Sequence, residues 1–221
     1  LGEAGNFIRW VGDEIRPFVR GRVLEVGCGT GTYTELLAGL SEEVVAVDLD
    51  PSFAETARRR FAERPQVRVL EGDARRLPVL GKFDTIVMLD VLEHIEDDVG
   101  MLAELGGRLA DGGRLVLKVP ALPALYGTLD AAIGHYRRYS RRSLSQAAAR
   151  AGLLVTDCRA FNLAAAPGWW LNGRVFRRTH PPEAQLRLYD RLVPAFRLID
   201  RLTGPPAGTS LIAAAARADR S

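Results

Sequence analysis

Gly21-Arg-Val-Leu-Glu-Val-Gly-Cys-Gly-Thr-Gly31 is the stretch that decides how this chain folds. Residues 23–26 read as a short apolar strand, and Gly27, Gly29 and Gly31 follow at alternate positions before a helix-like segment over 32–40. Glycine there lets the chain turn sharply and leaves bare backbone against which a ligand can lie. In an open α/β sheet that turn falls outside the carboxyl end of the first strand, where such sheets bind their ligands. The spacing argues against a dinucleotide, because G-x-G-x-x-G would need glycine where Thr32 stands.

Outward from this turn, strand-like and helix-like segments alternate, which predicts an α/β protein with a mostly parallel sheet covered on both faces. An amphipathic helix over 6–19 precedes the first strand, with Phe7, Trp10, Val11, Ile15 and Phe18 at helical spacing. Further strands are expected at 44–48, 67–71, 83–89, 114–119, 154–161 and 210–216. Helices are expected at 52–63, 98–110 and 140–152, the last capped by Ser140. Asp111-Gly112-Gly113 reads as a turn. Two stretches do not fit the alternation: a Pro-, Gly- and Tyr-rich loop at about 120–140, and a segment at about 162–208 whose helix over 183–202 is interrupted by Pro194. We read residues 1–221 as one domain with these two embellishments, each a lid or substrate element.

Composition narrows the class. With 47% hydrophobic and 26% charged residues, the 221-residue chain is ordinary for a soluble globular protein, and no apolar run approaches the roughly 20 residues of a membrane span. Two cysteines, Cys28 and Cys158, give no disulfide framework and suit a reducing cytoplasm, so a cytoplasmic location is expected. The net charge of +3 hides an asymmetry. Residues 131–201 hold thirteen arginines against four acids, so the remainder is net acidic. Such a face either meets an anionic partner or is simply solvated.

The glycine stretch resembles motif I of the class I S-adenosylmethionine (SAM)-dependent methyltransferases, an acid followed by G-x-G-x-G, with Glu25 as the acid and Gly27, Cys28, Gly29 and Gly31 forming the turn. The resemblance covers about 21–119 well. It implies a Rossmann-like sheet of seven strands in the order 3-2-1-4-5-7-6, the last antiparallel, with helices on both faces. It also implies SAM as cofactor. Asp48, nineteen residues beyond Gly29 with Leu49 beside it, would accept from the ribose hydroxyls, as a strand-terminal acid does in dinucleotide folds. Asp73 and Ala74, after the third strand, would read the adenine. Leu89 and Asp90, after the fourth, would hold the methionine portion and face the substrate. A pocket lined by Glu25, Asp48, Asp73 and Asp90 suits a phosphate-free cation and would repel a pyrophosphate.

Methyl transfer from a sulfonium needs an aligned nucleophile and the exclusion of water, and an oxygen nucleophile must also lose a proton. Gly134-His135-Tyr136-Arg137-Arg138-Tyr139 resembles an H-x-R-R-Y element of bacterial small-molecule methyltransferases. On that resemblance His135 is the candidate general base and Asp90 its catalytic companion, while Tyr136, Arg137, Arg138 and Tyr139 would clamp an anionic or glycosyl group. The alternative is a lid of buried rings and surface arginines. His94, in a Leu-Glu-His element, is read as structural. No metal is expected, since neither C-x-x-C nor H-E-x-x-H occurs.

Leu89-Asp90-Val91-Leu92 stands where methyltransferases of nucleic-acid amines carry Asn-Pro-Pro-Tyr/Phe, so no nucleic acid is expected and a small-molecule acceptor is. The Trp169-Trp170 pair and the 183–202 helix, with Arg187/Arg191 and Arg197/Arg201 spaced four apart, are expected to pack as core or lid. The alternative is a weak membrane-surface contact and a lipid-linked substrate. Oligomeric state stays open. Two competing functions remain: a nucleotide-dependent oxidoreductase on the same architecture, and a non-catalytic binding module that keeps the fold.

Overall fold

A computed structural model of the protein describes residues 5–76, 81–204 and 206–218. Its seven strands, β1 (Arg22–Val26), β2 (Glu43–Asp48), β3 (Val67–Glu71), β4 (Phe83–Leu89), β5 (Leu109–Pro120), β6 (Leu153–Phe161) and β7 (Ser210–Arg217), form one sheet. The order is β3-β2-β1-β4-β5-β7-β6. β1 to β5 pair in parallel, and β7 runs antiparallel to both β5 and β6. The helices are α1 (Gly5–Ile15), α2 (Thr32–Ala38), α3 (Pro51–Arg60), α4 (Asp98–Gly107), α5 (Thr128–Ala132), α6 (Arg141–Arg150), α7 (Ala166–Trp170) and α8 (Glu183–Thr203).

The central strands are apolar on both faces, as parallel strands buried under helices must be. Their residues alternate between two cores. Leu24, Val45, Ile86, Met88, Leu115 and Leu117 pack with α4 and α6 through Leu102, Leu105 and Leu144. Val23, Val44, Ala46, Val87 and Val116 pack on the other side with Trp10, Val11 and Ile15 of α1 and Leu37 of α2. By this parity Glu25 faces the α2 side and Lys118 the α1 side.

Two local expectations change. β5 begins at Leu109, so Asp111-Gly112-Gly113 lies inside the strand, and the β4 register slips between Phe83 and Thr85 to absorb it. α8 runs unbroken through Pro194. Proline has no N–H, which leaves the carbonyl of Asp190 without its helical donor. The Asn6 side-chain amide supplies that donor at 2.9 Å. The Asp190 carboxylate in turn accepts from the backbone N–H groups of Asn6 and Phe7 at the start of α1 (3.3 and 3.0 Å). The Asn6–Asp190 pair therefore repairs α8, caps α1 and docks the two helices.

Candidate active site

At the carboxyl edge of β1 the backbone N–H groups of Gly27 and Cys28 both donate to the Val47 carbonyl (2.8 and 3.1 Å), bending the chain across the end of β2. Gly27 has φ +77, and a Cβ there would meet Val91 Cγ2 at 2.4 Å. Gly29 has φ +54, and a Cβ there would meet nothing within 4 Å. Glycine at 27 is thus demanded by packing. At 29 it leaves open space above bare backbone.

A carboxylate is held beside that space. Asp48 Oδ2 accepts from the Gly29 N–H at 2.7 Å, and its Oδ1 from the Asp50 N–H at 2.9 Å, so the group is fixed beside the turn with Leu49 exposed next to it. Glu25 is buried and accepts from Thr34 Oγ1 at 2.5 Å. Burial, with the Asp48 charge adding to it and Thr34 opposing, pushes its carboxyl up to about 8. A cationic ligand would favour the ionised form of such a group. Burial, with the Glu25 and Asp48 charges adding to it, pushes the Cys28 thiol up to about 12, which disfavours its thiolate. Beyond β3, Ala74 is buried and Asp73 holds Arg75 through both oxygens (3.0 and 2.7 Å), a pairing that keeps the carboxyl below its ordinary range. An adenine amine would compete with Arg75 for these oxygens.

The end of β4 carries the second cluster. Leu89 is buried, and Asp90, with φ +55, pairs with Lys118, a buried lysine in register with Leu89 on β5. Glu93 is fully buried in the turn Leu92–His94, and neither of its carboxylate oxygens has a hydrogen-bond partner. Burial and the Asp90 charge push it up to about 8. His135 stands over it, Nε2 3.7 Å from Glu93 Oε1 and Nδ1 3.2 Å from Asp130 Oδ1. Its ring meets that of His94 edge to face at 4.6 Å. His94 is exposed, and partial burial of its ring together with its neighbour His135 lowers its pKa.

The loop after β5 is built to hold His135 there. Asp130, in α5, is fully buried and accepts from the Gly127 N–H (3.0 Å), Arg138 Nε (2.7 Å) and Trp169 Nε1 (3.3 Å). Although burial raises its pKa, the bonds to His135, Arg138 and Trp169 outweigh that and leave it below the usual range. The Tyr136 N–H donates to the Glu93 carbonyl at 2.8 Å, pinning the loop to the β4 turn. Of the four residues read as a substrate clamp, Tyr136 is exposed. Arg137 and the Tyr139 hydroxyl both bind Asp98 (2.8 Å each), Tyr139 being buried. Arg138 is buried between Asp130 and the Ala121 carbonyl. Asp130 has no motif signal in the sequence, and Glu93 had only the Leu-Glu-His element, so neither was expected to face His135.

A hollow of about 710 Å³, lined in part by Lys82, Gly152 and Arg217, lies at the opposite, amino-terminal edge of the parallel strands. It carries no comparable set of titratable groups.

A family model described as "Methyltransferase domain" matches residues 23–113, the span from β1 into β5 that holds both clusters up to His94. Over that span the chain is similar to a methyltransferase domain. A ubiquinone biosynthesis O-methyltransferase from Xanthomonas euvesicatoria is 35% identical to it over 113 residues, 47% of this chain and 46% of that protein. The chain spans about half the length of the curated relatives it matches. Among solved structures, a putative methyltransferase from Bacillus halodurans superposes with a TM-score of 0.66 at 19% identity, covering 95% of this chain and 97% of that one. A glycopeptide N-methyltransferase complexed with SAM gives 0.62 at 17% identity over 95% and 86%. At these identities the structural likeness concerns the methyltransferase fold alone.

Proposed function

We propose that the domain transfers the methyl group of SAM to an oxygen of a small-molecule acceptor. The observations that carry this are the open space over Gly29, whose N–H is held by Asp48, and the cluster of Glu93, His94 and His135 formed by the turn after β4 and the loop after β5. The residues fit the cofactor. Asp48 would hold the ribose hydroxyls, Asp73 and Ala74 the adenine, and Glu25 and Asp90 the charged methionine end, with Leu89 beside it. When bound, SAM supplies an electrophilic methyl group on a positive sulfur. The chain's own work is to align the acceptor, exclude water and promote loss of its proton beside the Glu93–His94–His135 cluster. The O–CH₃ bond forms as the S–CH₃ bond breaks, with that electron pair left on sulfur. A relative named as an O-methyltransferase supports oxygen over nitrogen.

An acceptor presented at an anionic bilayer surface is favoured by a separate observation. Among the described residues, eleven of the sixteen exposed large apolar side chains lie in residues 162–208, six of them on α8. The inner face of α8 is used by Tyr189, Asp190, Val193 and Phe196, which leaves Leu188, Leu192, Ile199 and Leu202 as an outward stripe beside the exposed Arg191 and Arg201. Apolar contact with flanking arginines suits anionic lipid. No helix among the described residues is long and apolar enough to cross a membrane.

Calorimetry tests the cofactor half: S-adenosylhomocysteine should bind with one equivalent and NAD should not, and heat from NAD alone would favour an oxidoreductase. Co-sedimentation with phosphatidylglycerol vesicles at low salt tests the second half. No pelleting, or a concentration-dependent dimer that hides α8, would end the membrane reading.

A further inference from the structure

Glu93, His94 and His135 place three ligating atoms within 4.8 Å of one another, from two segments about forty residues apart. Three features distinguish this group from an ordinary polar patch. First, Glu93 is fully buried and neither of its oxygens is hydrogen-bonded, His135 Nε2 standing 3.7 Å from Oε1, although buried carboxylates elsewhere in the chain, Glu25 and Asp130, are hydrogen-bonded. An orphaned buried carboxylate is costly unless something compensates it. Second, the His135 ring is oriented by Asp130, which takes Nδ1 and leaves Nε2 facing Glu93. A carboxylate behind a histidine is the arrangement that fixes tautomer and direction in metal-ligating histidines. Third, Asp130 is itself immobilised by Arg138, Gly127 and Trp169, so the His135 ring is pre-set.

We propose that Glu93, His94 and His135 bind one divalent transition-metal cation, with Asp130 as the positioning residue behind His135. Two imidazoles and one carboxylate suit Zn²⁺, Co²⁺ or Mn²⁺ better than Mg²⁺, which prefers an all-oxygen shell. Ligand bonds of about 2.0–2.2 Å require the three atoms to draw slightly closer than they stand. The buried Glu93 supplies one negative charge to the ion. The exposed side of His94 leaves the remaining position open to an acceptor oxygen. This proposal rests on the methyl-transfer reading for its purpose: the cation would bind the acceptor hydroxyl and acidify it, so that the proton leaves to solvent before the oxygen takes the methyl group.

The test is a titration of chelator-stripped full chain with Co²⁺, read by visible d–d absorption, and metal analysis after dialysis against Zn²⁺. Wild type should bind one equivalent. Glu93→Gln and the surface substitution His94→Ala should each weaken binding more than tenfold. Asp130→Asn should weaken it 10- to 100-fold, and His180→Ala should leave it unchanged. Circular dichroism and S-adenosylhomocysteine binding report whether each variant is folded. Wild type that takes up no cation, or a folded His94→Ala that binds as wild type does, overturns the proposal. Cation uptake without S-adenosylhomocysteine binding would instead sink the methyl-transfer reading and leave the metal site standing.

Discussion

The glycine-turn edge, proposed to hold the cofactor, and the histidine cluster, proposed to face the acceptor, are built in different ways. Around Gly29 the open surface is backbone, and the nearby carboxylates sit at the ends of β1, β2 and β3, so a few short strands fix every group. Around His135 the surface is side chain. Glu93 follows β4, Asp130 and His135 come from the loop after β5, and Trp169 reaches in from α7. The first kind of site needs only strands of the right length and glycine at the right step. The second needs long-range pairing of buried charges, and substitutions should separate the two.

The largest effect is expected at the cofactor edge. Gly29→Val should weaken S-adenosylhomocysteine binding more than 100-fold in calorimetry while costing only about 1–3 kcal/mol of stability, since its side chain meets no packed neighbour and the penalty is the φ +54 backbone. A variant that binds normally would remove the bare-backbone cradle from the account. Next comes Asp190→Ala, which removes the cap of α1 and part of its tie to α8. A loss of about 1–3 kcal/mol in urea unfolding is expected, with cofactor affinity unchanged. If affinity falls as far as stability, the two regions are not independent.

Glu25 offers a pH-dependent test. Its folded pKa of about 8 lies above the ordinary 4.5, so the native state keeps a proton that the unfolded chain releases. That contribution to stability is complete below pH 4.5 and is lost as pH rises towards 8. Glu25→Gln should therefore become progressively more stable than wild type from pH 5 to 8, by at most about 1.4 kcal/mol per unit. Parallel stability curves would place Glu25 among groups that do not titrate in this window. The smallest effect on folding is expected at Leu188→Asp with Ile199→Asp. Stability should change by no more than about 0.5 kcal/mol, because both side chains are exposed, while vesicle pelleting is abolished.

This contrast also explains what could be read from residues alone. Alternating apolar strands and the glycine step gave all seven strands, and the resemblance gave their order, because parity and turn chemistry are local. Ser140 was recognisable as the cap of α6 for the same reason. Pro194 misled because its repair comes from Asn6, 184 residues from the Asp190 carbonyl that it satisfies. Asp111-Gly112-Gly113 misled because a register slip in the neighbouring strand hides a turn inside β5. The partnership of Glu93, Asp130 and His135 left no trace in spacing, and only the folded chain brings them together.

The most direct test is a crystal structure of the full chain with S-adenosylhomocysteine. The nucleoside should lie over Gly29 with its ribose hydroxyls on Asp48, and its sulfur should face Glu93 and His135. A ligand bound elsewhere, or a cradle closed by side chains over Gly29, would contradict the account.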